Sequence, residues 1–160
     1  MTRLPQPGRT LVMGILNVTP DSFSDGGEFL AVDAAVRHGL ALYAEGADLV
    51  DVGGESTRPG AVRADAQTEQ ARVVPVIEGL TRAGVPTSID TMRAEVAVAA
   101  VAAGAVLVND VSGGLADPGM LAAVADLDTS YVAMHWRGHS DRMADLASYE
   151  DVVAEVCTEL

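Results

Sequence analysis

The stretch Gly46-Ala-Asp-Leu-Val-Asp-Val-Gly-Gly54 is the part of the sequence that decides the fold. A glycine of the kind that ends helices is followed by a short apolar run, which closes in polar residues and two glycines. The same order returns in Gly104-Ala-Val-Leu-Val-Asn-Asp-Val-Ser-Gly-Gly114. Each stretch predicts a helix end, a buried strand and a polar loop. A repeated helix–strand unit indicates an α/β protein with a parallel sheet.

Three further apolar runs extend this pattern along the chain. All five runs are nearly continuous, as expected for strands buried on both faces. The predicted strands are 11–16, 49–52, 86–89, 106–108 and 131–134. Helical spacing of apolar residues lies between them, in 32–44, 73–80, 96–103, about 118–125 and from about 150 onward. Pro75 lies inside the second of these patterns, where it predicts a kink or a late helix start.

The alternation of strands and helices favours a (β/α)8 barrel of the TIM type. An open doubly wound sheet is the alternative, but no Gly-x-Gly-x-x-Gly follows the first strand. About five βα units are present, and a closed barrel of this type has eight. We therefore expect a barrel that is incomplete at its carboxyl terminus.

The composition narrows the classes of function. Hydrophobic residues make up 49% of the chain, and no apolar run reaches the length of a membrane span. The net charge of −13 disfavours a nucleic-acid-binding protein, which normally presents a basic face. The single cysteine, Cys157, excludes an internal disulfide, and the amino terminus has no apolar signal segment. We expect a cytoplasmic protein that binds neither nucleic acid nor membrane.

The loop after the first predicted strand is rich in oxygen donors. It reads Asn17-Val-Thr-Pro-Asp-Ser-Phe-Ser-Asp-Gly-Gly27 and contains neither sulfur nor imidazole. Such donors suit Mg²⁺ shared with substrate phosphates rather than zinc. The alternative is an ordinary polar turn that ends in two glycines. The density of oxygen side chains favours the metal site.

The loop after the second strand, Asp51-Val-Gly-Gly-Glu-Ser-Thr-Arg-Pro-Gly60, suits an anion. Its glycines let backbone N–H groups approach a phosphate, and the guanidinium of Arg58 offers paired donors. Thr57 adds a hydroxyl group. The alternative is a flexible surface loop with a solvated arginine, and the residues alone do not decide between the two.

Polar residues also end the third and fourth strands. Asp90 and Asn109 should point into one pocket, because the carboxyl ends of barrel strands meet at one face. A carboxylate accepts from ring N–H groups and an amide both donates and accepts, which suits the edge of a pterin or purine. Asp90 could instead cap the helix that follows. For Asp110 we expect a structural role.

The fifth strand leads into Tyr131-Val-Ala-Met-His-Trp-Arg137. Met134 either presents a polarizable side chain to a flat ring or fills the core. His135 has no base or metal partner in the sequence, which favours a structural role. We expect His38 and His139 to be exposed.

Together these segments resemble dihydropteroate synthase, from about Met13 onward. Residues 17–27 are similar to the family's first mobile loop and 54–60 to its second. Ser88-Ile-Asp-Thr91 and 109–114 match in order and spacing, and His135-Trp-Arg-Gly-His-Ser140 is similar to the actinobacterial members. The resemblance implies one pterin-binding domain over 1–160, truncated at its carboxyl terminus. The family's later Asp, its substrate-binding Lys and its carboxyl-terminal Arg and His contacts would lie beyond residue 160.

The resemblance also implies an activity and a site. The family joins (7,8-dihydropterin-6-yl)methyl diphosphate to 4-aminobenzoate with Mg²⁺, in folate biosynthesis; it is a sulfonamide target and forms homodimers. Arg58 and Asp90 are then the catalytic residues, Asn17 is a metal ligand, and Asp25 joins it when the loop closes. The implied substrate contacts are Thr57 and Arg58 for the diphosphate, Asp90, Asn109, Val111 and Met134 for the pterin, and Phe23 and Pro59 for 4-aminobenzoate.

Three alternatives accompany this interpretation. A pterin-binding methyltransferase of the same barrel type would not need the loops for Mg²⁺ and diphosphate. A non-catalytic paralogue should have lost the loop oxygens or Arg58, and both are present. An inactive piece of a synthase is the third, because about three βα units are missing.

Overall fold

The structure, a computed structural model, describes residues 4–19, 27–55, 64–139, 142–143 and 145–160. Strands and helices alternate along these residues in the predicted order. The strands are β1 (Met13–Asn17), β2 (Leu49–Gly53), β3 (Thr87–Asp90), β4 (Leu107–Asp110) and β5 (Ser130–Ala133). The helices are α1 (Gly27–Ala44), α2 (Ala66–Arg82), α3 (Ala94–Ala102), α4 (Met120–Asp126) and α5 (Val152–Glu159).

The five strands form one parallel sheet whose spatial order, β1-β2-β3-β4-β5, is the order of the sequence. A doubly wound sheet reverses its strand order at a switch point, and this sheet does not. The register places Asn17 opposite Gly53, Gly53 opposite Asp90, and Asp90 opposite Asn109. Neighbours in parallel register point to the same face, so this row of residues shares one face of the sheet. Within the described residues the sheet is open, with β1 and β5 at its edges.

The hydrophobic core lies between the opposite face of the sheet and the helices. Alternate residues of the central strands point into it and are fully buried: Val50, Val52, Ile89 and Val108. Ile77 and Leu80 of α2 belong to the same core cluster and have no exposed surface. Each such side chain contributes about 1.5–3 kcal/mol through burial. The helices thus hold the apolar face, and the polar row is left on the other face.

Helix α2 differs from the expectation based on Pro75. The predicted late start is wrong, because α2 begins at Ala66 and continues through Pro75 to Arg82. Its first turn is stabilised by Asp65, whose carboxylate accepts from the backbone N–H of Thr68 at 2.7 Å. Buried apolar residues on both sides of Pro75 keep the helix against the sheet.

Glycine is required where α3 ends. Gly104 has a φ of +116°, and a Cβ there would lie 2.5 Å from Oγ1 of Thr81 in α2. Only glycine combines this left-handed conformation with so close an approach between helices. The helix stop predicted at this position is therefore confirmed, and the chain enters β4 directly after it.

None of the described helices is both long enough and apolar enough to span a membrane.

Candidate functional site

At the carboxyl ends of β1, β2 and β3, side-chain oxygens of Asn17 and Asp90 lie close to Gly53. A Cβ placed on Gly53 would lie 3.4 Å from Oδ2 of Asp90 and 3.7 Å from Oδ1 of Asn17. Asn109 is the register neighbour of Asp90 on β4. The structure therefore gathers Asn17, Asp90 and Asn109 at the carboxyl end of the sheet, as the strand pattern predicts.

The carboxyl group of Asp90 is held in an unusual environment. Its side chain has no hydrogen-bond partner among the described residues, although the residue is half-buried. Burial raises its pKa from 3.8 to about 7, and the negative charges of Asp51, Glu69 and Asp110 add to this effect. An N–H donor or a positive charge that approaches Asp90 would relieve this cost, so the site favours such a ligand.

The alternative role of Asp90 as a helix cap is wrong. Helix α3 begins at Ala94, and its capping position is Arg93, in an extended conformation. The backbone N–H of Ala94 donates to Oδ2 of Asp117 at 2.8 Å. Because Asp117, and not Asp90, accepts the hydrogen bond from the first turn of α3, the oxygens of Asp90 remain available to a ligand.

Asp51, which the sequence showed only as a polar residue toward the end of the second strand and to which it gave no role, is a central residue of this face. It is 3% exposed and accepts from Oγ of Ser88 at 2.5 Å and from Nδ2 of Asn109 at 2.9 Å. Burial raises its pKa, and these two hydrogen bonds lower it in part. Since a carboxylate can only accept, the Asn109 nitrogen must face Asp51, and the Asn109 oxygen is turned away from it. Asp51 therefore fixes which amide atom Asn109 presents.

The structural role expected for Asp110 agrees with its contacts. One of its oxygens accepts from N and Oγ of Ser112, at 2.8 and 2.7 Å. The other accepts from the backbone N–H of Gly114 at 2.9 Å and from the hydroxyl of Tyr131 at 2.8 Å. Burial raises the pKa of Tyr131, and the hydrogen bond to Asp110 raises it further. Asp110 thereby ties the loop after β4, which carries Val111, to β5.

This loop also lies directly against the residue that follows β5. Gly113 has a φ of +62°, and a Cβ there would lie 2.7 Å from the backbone oxygen of Met134. Val111 and Met134 are both half-buried. The two apolar residues expected to contact a pterin ring are thus carried by segments that touch each other.

The segment after β5 is bound to α5 by charged groups. Nε2 of His135 lies 2.6 Å from Oε2 of Glu159, and Arg137 donates to both Glu155 and Glu159. The guanidinium of Arg137 also lies 3.9 Å from the ring centre of Tyr149. His135 therefore has the expected structural role, because its contact with Glu159 joins the segment after β5 to α5.

His139 differs from the expectation of an exposed side chain. It is half-buried, because its ring packs edge-on against Trp136 at a centroid distance of 5.0 Å.

Several predicted site residues lie outside the described part of the chain: Phe23, Asp25, Thr57, Arg58 and Pro59. Among the described residues, no group of three or more His, Cys, Asp or Glu side chains could hold a metal ion. Mg²⁺ usually takes only one or two protein ligands beside substrate phosphates and water. The exposed amide oxygen of Asn17, beside Asp90, is a hard donor that fits this requirement.

Comparison with known proteins identifies the family. The profile described as pterin binding enzyme matches residues 13–160. The chain belongs to this family of pterin-binding enzymes. The resemblance seen in its motifs is supported by close relatives. A dihydropteroate synthase of Mycobacterium leprae is 57% identical over 150 residues, which are 93% of this chain and 53% of that protein. One of Bacillus subtilis is 48% identical over 144 residues, or 88% of this chain and 50% of that protein.

Solved structures of the family agree with the fold. Xanthomonas albilineans dihydropteroate synthase with 4-aminobenzoic acid has a TM-score of 0.85 at 52% identity, covering 98% of this chain and 55% of that one. The Yersinia pestis enzyme with a sulfonamide drug has a TM-score of 0.84 at 43% identity, covering 94% and 55%. The predicted family and fold class are thus confirmed. The chain spans about half the length of the curated relatives it matches.

Proposed function

We propose that this protein is a dihydropteroate synthase and that the described residues form the pterin-binding end of its site. The observation that carries the proposal is the carboxyl group of Asp90. It lacks a hydrogen-bond partner among the described residues and lies beside Asn17 and Asn109 in a chain closely similar to synthases. In the reaction, the bond between the pterin methylene and the diphosphate oxygen breaks. A bond from the methylene to the amine nitrogen of 4-aminobenzoate forms, and the amine loses a proton.

Asp90 and Asn109 bind the pterin in this proposal. The Asp90 carboxylate accepts N–H groups of the ring, and the Asn109 oxygen, turned away from Asp51, offers a second acceptor. As the diphosphate departs, positive charge is left on the pterin. A carboxylate fixed in a partly buried site stabilises that charge without first having to reorganise. Val111 and Met134 pack against the faces of the ring.

The diphosphate end of the site rests on the resemblance. Thr57 and Arg58 would bind the diphosphate, and Phe23 and Pro59 would flank the 4-aminobenzoate. Asn17, joined by Asp25, would hold Mg²⁺, which when bound supplies positive charge to the departing diphosphate.

The assembly and location belong to the same proposal. We infer a homodimer in the cytoplasm, acting on small molecules and not on nucleic acid or membranes. The homodimer rests on the family resemblance, the net charge of −13 supports the absence of a nucleic-acid partner, and the single, unpaired Cys157 fits a reducing compartment.

The test is the release of diphosphate by the protein expressed from its complete coding sequence. We expect release only when the pterin diphosphate and 4-aminobenzoate are both present. Asp90→Asn should lower kcat/KM at least a hundredfold, because an amide cannot stabilise the charge that a carboxylate does. Asp126→Asn makes the same change on the exposed face of α4 and should leave the rate unchanged. A protein that binds the pterin but releases no diphosphate would be a non-catalytic paralogue and would refute the proposal.

A further inference from the structure

An ion pair between the buried Glu69 and the half-buried Arg93 joins α2 to the connection between β3 and α3. Glu69, in the first turn of α2, has no exposed surface. Its Oε2 accepts from Nη1 of Arg93, and its Oε1 accepts from the hydroxyl of Thr91 at 2.7 Å. Both carboxylate oxygens of this buried group are therefore used.

The same guanidinium holds two points of the chain around residues 56–63. Nη1 of Arg93 donates to Oε2 of Glu55 at 2.7 Å, and Nη2 donates to the backbone oxygen of Ala64 at 2.5 Å. Glu55 and Ala64 are the described residues on either side of 56–63. A single side chain thus ties together the two ends of the segment that contains Thr57 and Arg58.

Neighbouring contacts fix each of these ends separately. The backbone oxygen of Gly54 accepts from Nη1 of Arg72 at 2.9 Å. A Cβ on Gly54 would lie 2.7 Å from Cγ1 of Val73, so the backbone there lies directly on α2. At the other end, Asp65 caps α2 through the N–H of Thr68. Arg93 therefore bridges two points of the chain, each next to a residue that contacts or caps α2.

Stability alone does not account for this arrangement. A buried ion pair gains little over apolar residues of the same volume, because desolvation of both charges offsets their attraction. A planar guanidinium with partners on three segments instead specifies a geometry, since its donors lie at fixed angles. The pair is better suited to orienting the chain than to stabilising it.

We propose that Arg93, held by Glu69, is a positioning residue that fixes the ends of segment 56–63 so that Thr57 and Arg58 meet the substrate diphosphate. The second half of this statement rests on the proposed function, which gives Thr57 and Arg58 that role. Arg93 acts through Glu55 and Ala64 and does not itself touch the substrate.

The tether is tested by proteolysis of Arg93→Lys. The ammonium group keeps the charge beside Glu69, but it cannot reach Glu55 and the Ala64 oxygen together. We expect trypsin to cleave the Arg63–Ala64 bond at least ten times faster, under conditions in which urea unfolding shows both proteins to be folded. The control is Arg9→Lys, the same substitution at the opposite end of the sheet, where Arg9 pairs with Asp48 at 2.6 Å. Equal cleavage of the parent and Arg93→Lys would overturn the proposal.

The link to the substrate is tested by two ligands. We expect Arg93→Lys to weaken binding of the pterin diphosphate at least tenfold and to change binding of the 6-hydroxymethyl pterin, which lacks the diphosphate, less than twofold. Equal loss for both ligands, or no loss for either, would overturn the positioning role. If the parent binds neither ligand, the proposed function fails, while the proteolysis still decides whether the tether exists.

Glu69→Gln is the second variant, because it keeps the shape of the side chain and the hydrogen bond from Thr91. It should raise cleavage after Arg63 in the same direction as Arg93→Lys. If neither variant folds while Arg9→Lys does, the pair is a requirement of the whole fold, and the proposal is overturned.

Discussion

Replacing Asp90 with asparagine should make the protein more stable at neutral pH while it removes activity. The pKa of Asp90 is raised from 3.8 to about 7 in the folded protein, chiefly by burial. Because this pKa is higher in the folded state, the carboxyl group ionises at a lower pH in the unfolded protein than in the folded one. The free energy of unfolding therefore falls as pH rises from about 4 to about 7. An amide at residue 90 cannot ionise, so Asp90→Asn escapes this loss.

The magnitude follows from the two pKa values. The difference between the pKa values of Asp90 in the unfolded and folded states lowers the free energy of unfolding by about 4 kcal/mol at pH 8. This follows from about 1.4 kcal/mol for each pKa unit. The new amide lacks partners among the described residues, which costs about 1–3 kcal/mol at every pH. Asp90→Asn should therefore be about 1–3 kcal/mol more stable than the parent at pH 8.

The measurement is urea unfolding, followed by circular dichroism, at several values between pH 5 and pH 8. The lower limit keeps the protein above its isoelectric point of about 4.3, where low net charge promotes association. Between these limits the advantage of Asp90→Asn should grow by about 2–3 kcal/mol, because only the ionisation of Asp90 depends on pH.

Asp117→Asn provides a control of opposite sign. Hydrogen bonds from the N–H groups of Ala94 and Gly119 lower the pKa of Asp117. Its contribution to stability is present above about pH 4 and is lost only below it, so the difference from the parent should stay constant from pH 5 to pH 8. A constant difference for Asp90→Asn as well would show that Asp90 ionises as an ordinary carboxyl group and that burial does not raise its pKa.

Three further predictions concern individual site residues. Asp51→Asn leaves one oxygen acceptor where Asp51 now accepts from both Ser88 and Asn109, and calorimetry should show pterin binding weakened about tenfold, or 1.4 kcal/mol. Asn17→Ala should weaken the dependence of turnover on Mg²⁺, and a titration with Mg²⁺ that matches the parent would exclude Asn17 as a ligand. Arg58→Lys keeps the charge but loses the paired donors, so steady-state kinetics should show turnover slowed at least tenfold, about 1.4 kcal/mol of barrier.

Much of the fold could be predicted because buried strands leave a local signal. Continuous apolar runs located all five strands to within two residues, and the polar residues at the ends of these runs located Asn17, Asp90 and Asn109. Parallel strands bring such ends together wherever the connections are helices. The candidate site therefore followed from the chain order alone.

The residues that were missed depend on contacts distant in sequence. Asp51 lies inside an apolar run, and its role appears only through Ser88 and Asn109 on neighbouring strands. Helix α2 starts earlier than predicted because its first turn is stabilised by a cap and a buried Glu69, which apolar spacing does not detect. Glu69 is recognisable as a buried charge only once Arg93 is placed beside it.

Gly53 leaves a gap between Asn17 and Asp90 at the strand ends, and this gap lowers the stability of the fold. A methyl group at this position would meet Asp90 and Asn17 at 3.4 and 3.7 Å, which is ordinary van der Waals contact. The backbone there thus has room for alanine, and glycine in a strand forgoes about 0.5–1 kcal/mol of stability relative to it. What the glycine preserves is empty volume between a carboxylate and an amide oxygen. Glycine at this position therefore lowers the stability of the fold and leaves open a space that a methyl group could fill. That space is available to a ligand bound between Asp90 and Asn17.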